Sequence, residues 1–239
     1  MLLLATGTAL ATGLGAAPLA FVSPSRRWVG VGNAVAGGLM LAASGGLLVE
    51  GWGVGHAGTL GGLALGAVFV LLSRRWIDHH DGIDFGALRG VDARRALLIV
   101  GAMTVHSAAE GIGVGVSFGG GADLGLFISL AIAVHNIPEG LAISLVLVPR
   151  GVTVWKAAGW SVFSSLPQPL LAVPAFLFVL EFVPVLAWGL GFAAGAMIWM
   201  VAIELIPEAV EETGSRGAVA GTVLLAGVVM LAVQLLLDA

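Results

Sequence analysis

No cysteine occurs among the 239 residues, which excludes disulfides, thiolate metal sites and iron–sulfur clusters. Charge is scarce as well, at 10% of residues, and the net value of −4 says less than where the charges sit. No basic residue precedes the first apolar stretch, whereas a secretory leader opens on a positive segment, so 2–22 is read as a first membrane span. No polar stretch is long enough to form a soluble domain. What fills the chain is apolar: 59% of residues are hydrophobic, and the mean hydropathy is +1.06. Runs of about 20 apolar residues recur, enough to cross a hydrocarbon core of about 30 Å. The 37 glycines suit membrane helices that pack backbone to backbone. The expectation is an all-α polytopic membrane protein, with residues 1–239 forming a single transmembrane domain in the lipid bilayer.

Eight spans are predicted, at 2–22, 28–50, 57–77, 95–118, 122–148, 153–180, 182–207 and 216–237. The longest polar connection lies at about 78–94. All ten basic residues fall in or beside odd-numbered loops. Arg26 and Arg27 belong to the first, and Arg74, Arg75, Arg89, Arg94 and Arg95 to the third. Arg150 and Lys156 belong to the fifth, and Arg216 to the seventh. By the positive-inside rule the odd loops are cytoplasmic and both termini face out.

Two ionisable pairs interrupt this apolar background. His106-Ser107-Ala108-Ala109-Glu110-Gly111 lies in the fourth span and His135-Asn136-Ile137-Pro138-Glu139-Gly140 in the fifth, 29 residues further on. His and Glu four residues apart share one helix face. Each ionisable group at the bilayer centre costs roughly 2.5–3.5 kcal/mol on insertion scales, so such groups mark sites or pathways. Antiparallel neighbours would bring both pairs to similar depth, and His106, Glu110, His135 and Glu139 could converge on one divalent ion. Two imidazoles and two carboxylates suit Zn²⁺ or a related first-row ion, held as transported ligand rather than cofactor. The competing account is two buried His–Glu hydrogen-bonded pairs that hold helices together. Duplication at matched depth favours metal.

Further candidates flank this set. Pro138 frees the carbonyl near Val134, and Asn136 could serve it or face a second position. Gln168, between Pro167 and Pro169, predicts a distorted sixth span and acts as either a weak ligand or a structural bridge. Glu204 is a carboxylate near the inner end of the seventh span, and Glu208, Glu211 and Glu212 follow it as solvated acids. Asp78, His79, His80 and Asp81 open the cytoplasmic loop and could receive an ion. Enzymatic readings find no support in the motifs. No His-Glu-x-x-His suggests a zinc protease, and no Glu-x-x-His suggests a di-iron oxidase. No nucleic-acid partner is expected. A non-transporting metal sensor or structural membrane protein with a residual site remains the alternative to a transporter.

At this point the chain resembles the ZIP (Zrt/Irt-like) family of divalent-metal transporters, especially its prokaryotic members. HSAAEG is similar to the family's fourth-span H-N-x-P-E-G, and HNIPEG to its fifth-span (H/Q)-(N/D)-x-P-E-G. SSLPQP is similar to S-G-L-x-E-P, and GAMIWMVAIELIPE to G-A-M-(I/L)-x-x-V-x-H-E-x-I-P-E. GGLMLAAS looks like the pore-lining second-span segment. The resemblance implies eight helices in a 3+2+3 bundle, a transport site on the fourth and fifth spans, metal flux toward the cytoplasm, and frequently a homodimer. It also implies residence in a prokaryotic cytoplasmic membrane. Relatives often hold a second metal position. Here the residues at its extra positions are Ser107, Asn136 and Gln168, so most of its charge is gone and one intact metal position is expected. Ala109 stands where the fourth-span proline would be, which implies a straighter helix. Ile203 replaces a seventh-span His, which leaves Glu204 alone at the exit.

Overall fold

The computed structural model describes residues 1–21, 25–79, 84–85 and 88–237, with some side chains inside the helices outside that description, among them Asp78 and His135. The elements run in order α1 (Leu2–Leu14), α2 (Pro18–Phe21), α3 (Arg26–Val54), α4 (His56–His79), β1 (Asp84–Phe85), β2 (Leu88–Arg89), α5 (Gly90–Gly120) and α6 (Ala122–Leu147). After a 3₁₀ turn at Val148–Arg150 come α7 (Val154–Ser164), α8 (Pro167–Leu177), α9 (Val179–Met200), a π turn at Val201–Leu205, α10 (Ile206–Thr213) and α11 (Arg216–Leu237). The chain is an all-α polytopic membrane protein. Among the described residues, seven helical segments are long and apolar enough to cross a bilayer.

The remaining expected span, 153–180, is present in two pieces. Prolines 167 and 169 carry no N–H for the carbonyls of Phe163 and Ser165, one turn back, so two helical bonds are lost within three residues and the helix breaks there. Tighter bonds fill the gap instead, from Leu166 N–H to the Phe163 carbonyl at 3.2 Å and from Gln168 N–H to the Ser165 carbonyl at 3.0 Å. The distortion expected around Gln168 is therefore a break between α7 and α8. Each piece is 11 residues long, about 16 Å, too short to span alone.

A similar argument explains the π turn. Pro207 cannot donate to the Ile203 carbonyl, and the Ile206 N–H bonds to Val201, five residues back. Arg74 Nη1 then donates to the Ile203 carbonyl at 3.2 Å. A proline on α10 thus fixes where an arginine on α4 is anchored.

Small residues set the helix spacing. Side chains at Gly62 and Gly66 of α4 would run into the carbonyls of Trp188 and Phe192 on α9. Side chains at Gly191 and Gly195 of α9 would meet the carbonyls of Thr59 and Leu63 in return. The two backbones therefore lie in direct contact, as membrane helices do where small residues recur every fourth position. One set of helices packs α3, α4, α9, α10 and α11 together, and another packs α1, α5, α6, α7 and α8. The two sets meet chiefly along α5 with α9 and α3 with α6.

Only Gly121 separates α5 from α6, at φ +139°, a conformation that L side chains rarely adopt. The hinge makes α5 and α6 antiparallel neighbours. They are also the most enclosed spans, with 67% and 69% of their most apolar stretches buried against 17% for α11, so the motif helices occupy the centre.

The basic loops gather at one end. Arg26 in the first loop pairs with Glu212 in the seventh, and Arg150 in the fifth pairs with Asp92 at the start of α5 and with Glu208 on α10. Exposed Trp28, Trp76 and Trp155 adjoin Arg27, Arg75 and Lys156, where interfacial tryptophans are expected. Among the described residues of the 78–94 connection, β1 and β2 pair Phe85 with Leu88, both side chains are buried, and the Phe85 ring packs on Trp160 at 4.4 Å.

Candidate metal centre

His106 and Glu110 lie one turn apart near the middle of α5, and Glu139 reaches them from α6. All three are essentially inaccessible to solvent. His106 Nε2 is 2.7 Å from Glu139 Oε1 and 3.4 Å from Glu110 Oε1, and one ligand atom from each residue falls within 4.8 Å of the others. A tetrahedral zinc ion with bonds of about 2.0–2.2 Å spaces its ligands roughly 3.4 Å apart. The His106–Glu110 separation already has that value, and Glu139 would withdraw by on the order of 0.7 Å to admit an ion. The fourth expected ligand, His135, occupies the α6 position one turn before Glu139, and its side chain lies outside the described residues.

A neutral network borders the acids. Gln168 Nε2, at the start of α8, donates to Glu110 Oε2 at 2.6 Å. Its Oε1 accepts from Asn136 Nδ2 at 3.0 Å and lies 2.7 Å from the Thr8 hydroxyl of α1. Asn136 Nδ2 also donates to the Thr8 backbone carbonyl at 2.7 Å. Asn136 therefore serves α1 and Gln168 rather than the carbonyl near Val134. Gln168 thus links Glu110 to Asn136 and Thr8. Ser107 is fully buried, and its hydroxyl has no hydrogen-bond partner among the described residues.

The glycine that ends each motif has a packing reason. A Cβ on Gly111 would lie 2.6 Å from the Gln168 carbonyl and 2.7 Å from its Cα, so only glycine lets α8 come close enough for Gln168 to reach Glu110. Gly140 does the same for α1, whose Thr12 carbonyl sits against it. Thr12 in turn shares a 2.7 Å hydrogen bond with Ser165 at the α7–α8 break.

The inner candidates are more constrained than their sequence suggested. Glu204 is not alone at the exit, because Arg74 Nη1 lies 3.1 Å from its carboxylate while also holding the Ile203 carbonyl. Charge pairing across 130 positions of sequence carries no local signature. Glu208 and Glu212 are likewise not simply solvated acids. Glu208 Oε1 meets Arg150 at 2.9 Å and Arg95 at 3.7 Å, and its Oε2 accepts from Asn33 Nδ2 at 3.2 Å. Glu212 pairs with Arg26 at 2.9 Å. Of the loop candidates, His79 is exposed and its Nδ1 lies 2.7 Å from the Arg75 carbonyl of its own helix. The Asp78 side chain and residues His80 and Asp81 lie outside the described residues.

Known proteins are similar along most of the chain. Residues 78–234 match the family profile described as ZIP zinc transporter. Over 219 residues the chain is 46% identical to a protein of Arabidopsis thaliana named as a candidate zinc transporter, covering 90% of this chain and 35% of that protein. It is 33% identical over 177 residues to the zinc transporter GufA of Myxococcus xanthus, covering 71% of this chain and 70% of the relative. To the human zinc transporter ZIP11 it is 33% identical over 133 residues, half of this chain and 37% of that one. The chain thus spans little more than a third of the length of the plant and human relatives.

Proposed function

The chain belongs to the ZIP zinc transporter family, and from that membership we propose that it carries a divalent transition-metal ion, zinc foremost, across the membrane toward the cytoplasm. The site is formed by His106, Glu110, His135 and Glu139 and holds one ion. The observation that carries this reading is the solvent-free convergence of His106, Glu110 and Glu139 at the centre of the most enclosed pair of helices. Groups so costly to bury are kept where they bind or conduct. Imidazole and carboxylate ligands without thiolates bind zinc firmly enough to strip its water and loosely enough to let it go.

Orientation follows from charge. The basic residues cluster at one end of the bundle, and that end is cytoplasmic by the positive-inside rule, with both termini outside. The acids proposed to receive an ion on the inward side are Glu204 and Glu208, each paired with an arginine. The homes proposed for the protein are a prokaryotic cytoplasmic membrane and, for its assembly, a homodimer.

The test is uptake of ⁶⁵Zn²⁺ into proteoliposomes containing the full chain. Saturable uptake is expected, with His106→Ala and Glu139→Ala each reducing it to background. Uptake that is unchanged in both variants sinks the proposal. A protein that binds zinc without moving it identifies a sensor or scaffold instead.

A further inference from the structure

The hydrogen bonds around Gln168 have a fixed sense, and the element that fixes it is a backbone carbonyl on α1. The Thr8 carbonyl can only accept, so Asn136 must present its amide nitrogen there, at 2.7 Å. That same nitrogen lies 3.0 Å from Gln168, so Gln168 must present its oxygen to Asn136. The Gln168 nitrogen is thereby committed to Glu110 Oε2, at 2.6 Å. Flipping the Gln168 amide would set its oxygen against an ionised carboxylate and its nitrogen against another N–H donor. Every member is fully buried or nearly so, which shields the order from bulk solvent. Three helices, α1, α6 and α8, thus hold one donor, Gln168 Nε2, against a single oxygen of Glu110 on α5.

We propose that the Thr8–Asn136–Gln168 relay is the selectivity element of the site, because it occupies Glu110 Oε2 and restricts Glu110 to one-oxygen ligation through Oε1. This rests on the reading of His106, Glu110, His135 and Glu139 as the transport site. A carboxylate that offers one oxygen suits ions content with four ligands, of which Zn²⁺ is the foremost. Mn²⁺ favours six oxygen-rich ligands and gains most from a carboxylate free to bind through both oxygens. Gln168 is then a positioning residue: it touches the ligand, not the ion. Gly111 belongs to the same device, since it admits the Gln168 backbone to within reach of Glu110.

The experiment compares wild type, Gln168→Met and Asn136→Ala as full chains in proteoliposomes and detergent. The first substitution keeps side-chain length and removes the donor. The second removes the link that orients Gln168. Two readouts are taken: the ratio of Mn²⁺ to Zn²⁺ uptake, each as kcat/KM, and the visible spectrum of bound Co²⁺. Wild type should favour Zn²⁺ and give the intense absorption of four-coordinate Co²⁺. Gln168→Met should raise the Mn²⁺/Zn²⁺ ratio about tenfold, the scale of one hydrogen bond to a charged group, and bleach the Co²⁺ band as coordination number rises. Asn136→Ala should move both readouts the same way by a smaller factor. Equal loss of both uptakes, with the ratio and the Co²⁺ spectrum unchanged, means a purely structural role and overturns the proposal. If either variant fails to fold, the other decides by the same criteria. Failure of the wild type to bind Co²⁺ or Zn²⁺ overturns the transport reading itself, and the relay's selectivity with it.

Discussion

Removing the Glu208 carboxylate should destabilise the cytoplasmic end of the bundle, and the structure sets the size of the effect. Glu208 joins Arg150 and Arg95 through Oε1 and Asn33 through Oε2, which ties α10 to α3, α5 and the turn after α6. The side chains of Glu208 and Arg150 are only 14% and 11% exposed, so water screens their contact weakly. At an effective dielectric of about 20 the gross attraction of such a pair is about 4 kcal/mol. Truncating one member of a buried pair typically costs about 3–5 kcal/mol, because the survivor is left uncompensated. Arg150 would not be orphaned here, since it keeps Asp92 at 2.8 Å and the Val146 carbonyl at 2.7 Å. Glu208→Ala should therefore fall below that range, at about 2 kcal/mol. For a chain of this size that lowers the apparent Tm by roughly 4–8 °C. The seven tryptophans allow the melt to be followed by fluorescence in detergent. Glu212→Ala is the matched control, because its partner Arg26 is 79% exposed and the pair should contribute little. Equal shifts for the two variants, or none for Glu208→Ala, would refute the reasoning that burial separates these ion pairs.

Three other outcomes follow from the geometry. Gly111→Ala should push α8 away and break the Gln168–Glu110 contact, destabilising the protein by about 1–3 kcal/mol; the thermal melt and the Co²⁺ spectrum of this variant should shift together. Arg74→Ala should strip both the Ile203 carbonyl and Glu204 of their shared cation and lower the apparent Tm, while Arg74→Lys, a point charge without the guanidinium fork, should recover the melt only in part. Metal uptake should fall as the outer solution is acidified from about pH 7 to about pH 5, since imidazole must be neutral to ligate and protons compete with the ion; a pH titration of ⁶⁵Zn²⁺ uptake checks this, and a flat profile contradicts it.

How far the sequence could be read depended on whether a feature is local. Span positions were legible because each is a contiguous apolar run, and the even segregation of ten basic residues matches the end of the bundle at which Arg26, Arg74, Arg95 and Arg150 collect. The α5 and α6 motifs were legible because buried ionisable groups stand out against an apolar background, and the one-residue connection at Gly121 made their helices neighbours. The α7–α8 break was visible as Pro167 and Pro169, though a distorted span and two helices differ only in how the freed carbonyls are satisfied. Contacts between distant segments were not legible. Arg74 with Glu204 and Arg150 with Glu208 join residues from different elements, and nothing in either stretch names its partner. The same holds for Gln168, whose role depends on a backbone carbonyl 160 positions earlier. Phe85 looked like part of a polar connection because it packs on Trp160, a residue far along the chain.

The central claim is that one divalent ion passes between His106, Glu110, His135 and Glu139, and it is tested most directly by locating zinc. Anomalous scattering at the zinc edge, from crystals of the full chain grown with Zn²⁺, should show one peak in the membrane core about 2.0–2.2 Å from His106 Nε2 and from carboxylate oxygens of Glu110 and Glu139. Loss of that peak in His106→Ala would complete the result. A peak elsewhere in the core, or none between α5 and α6, would contradict the account.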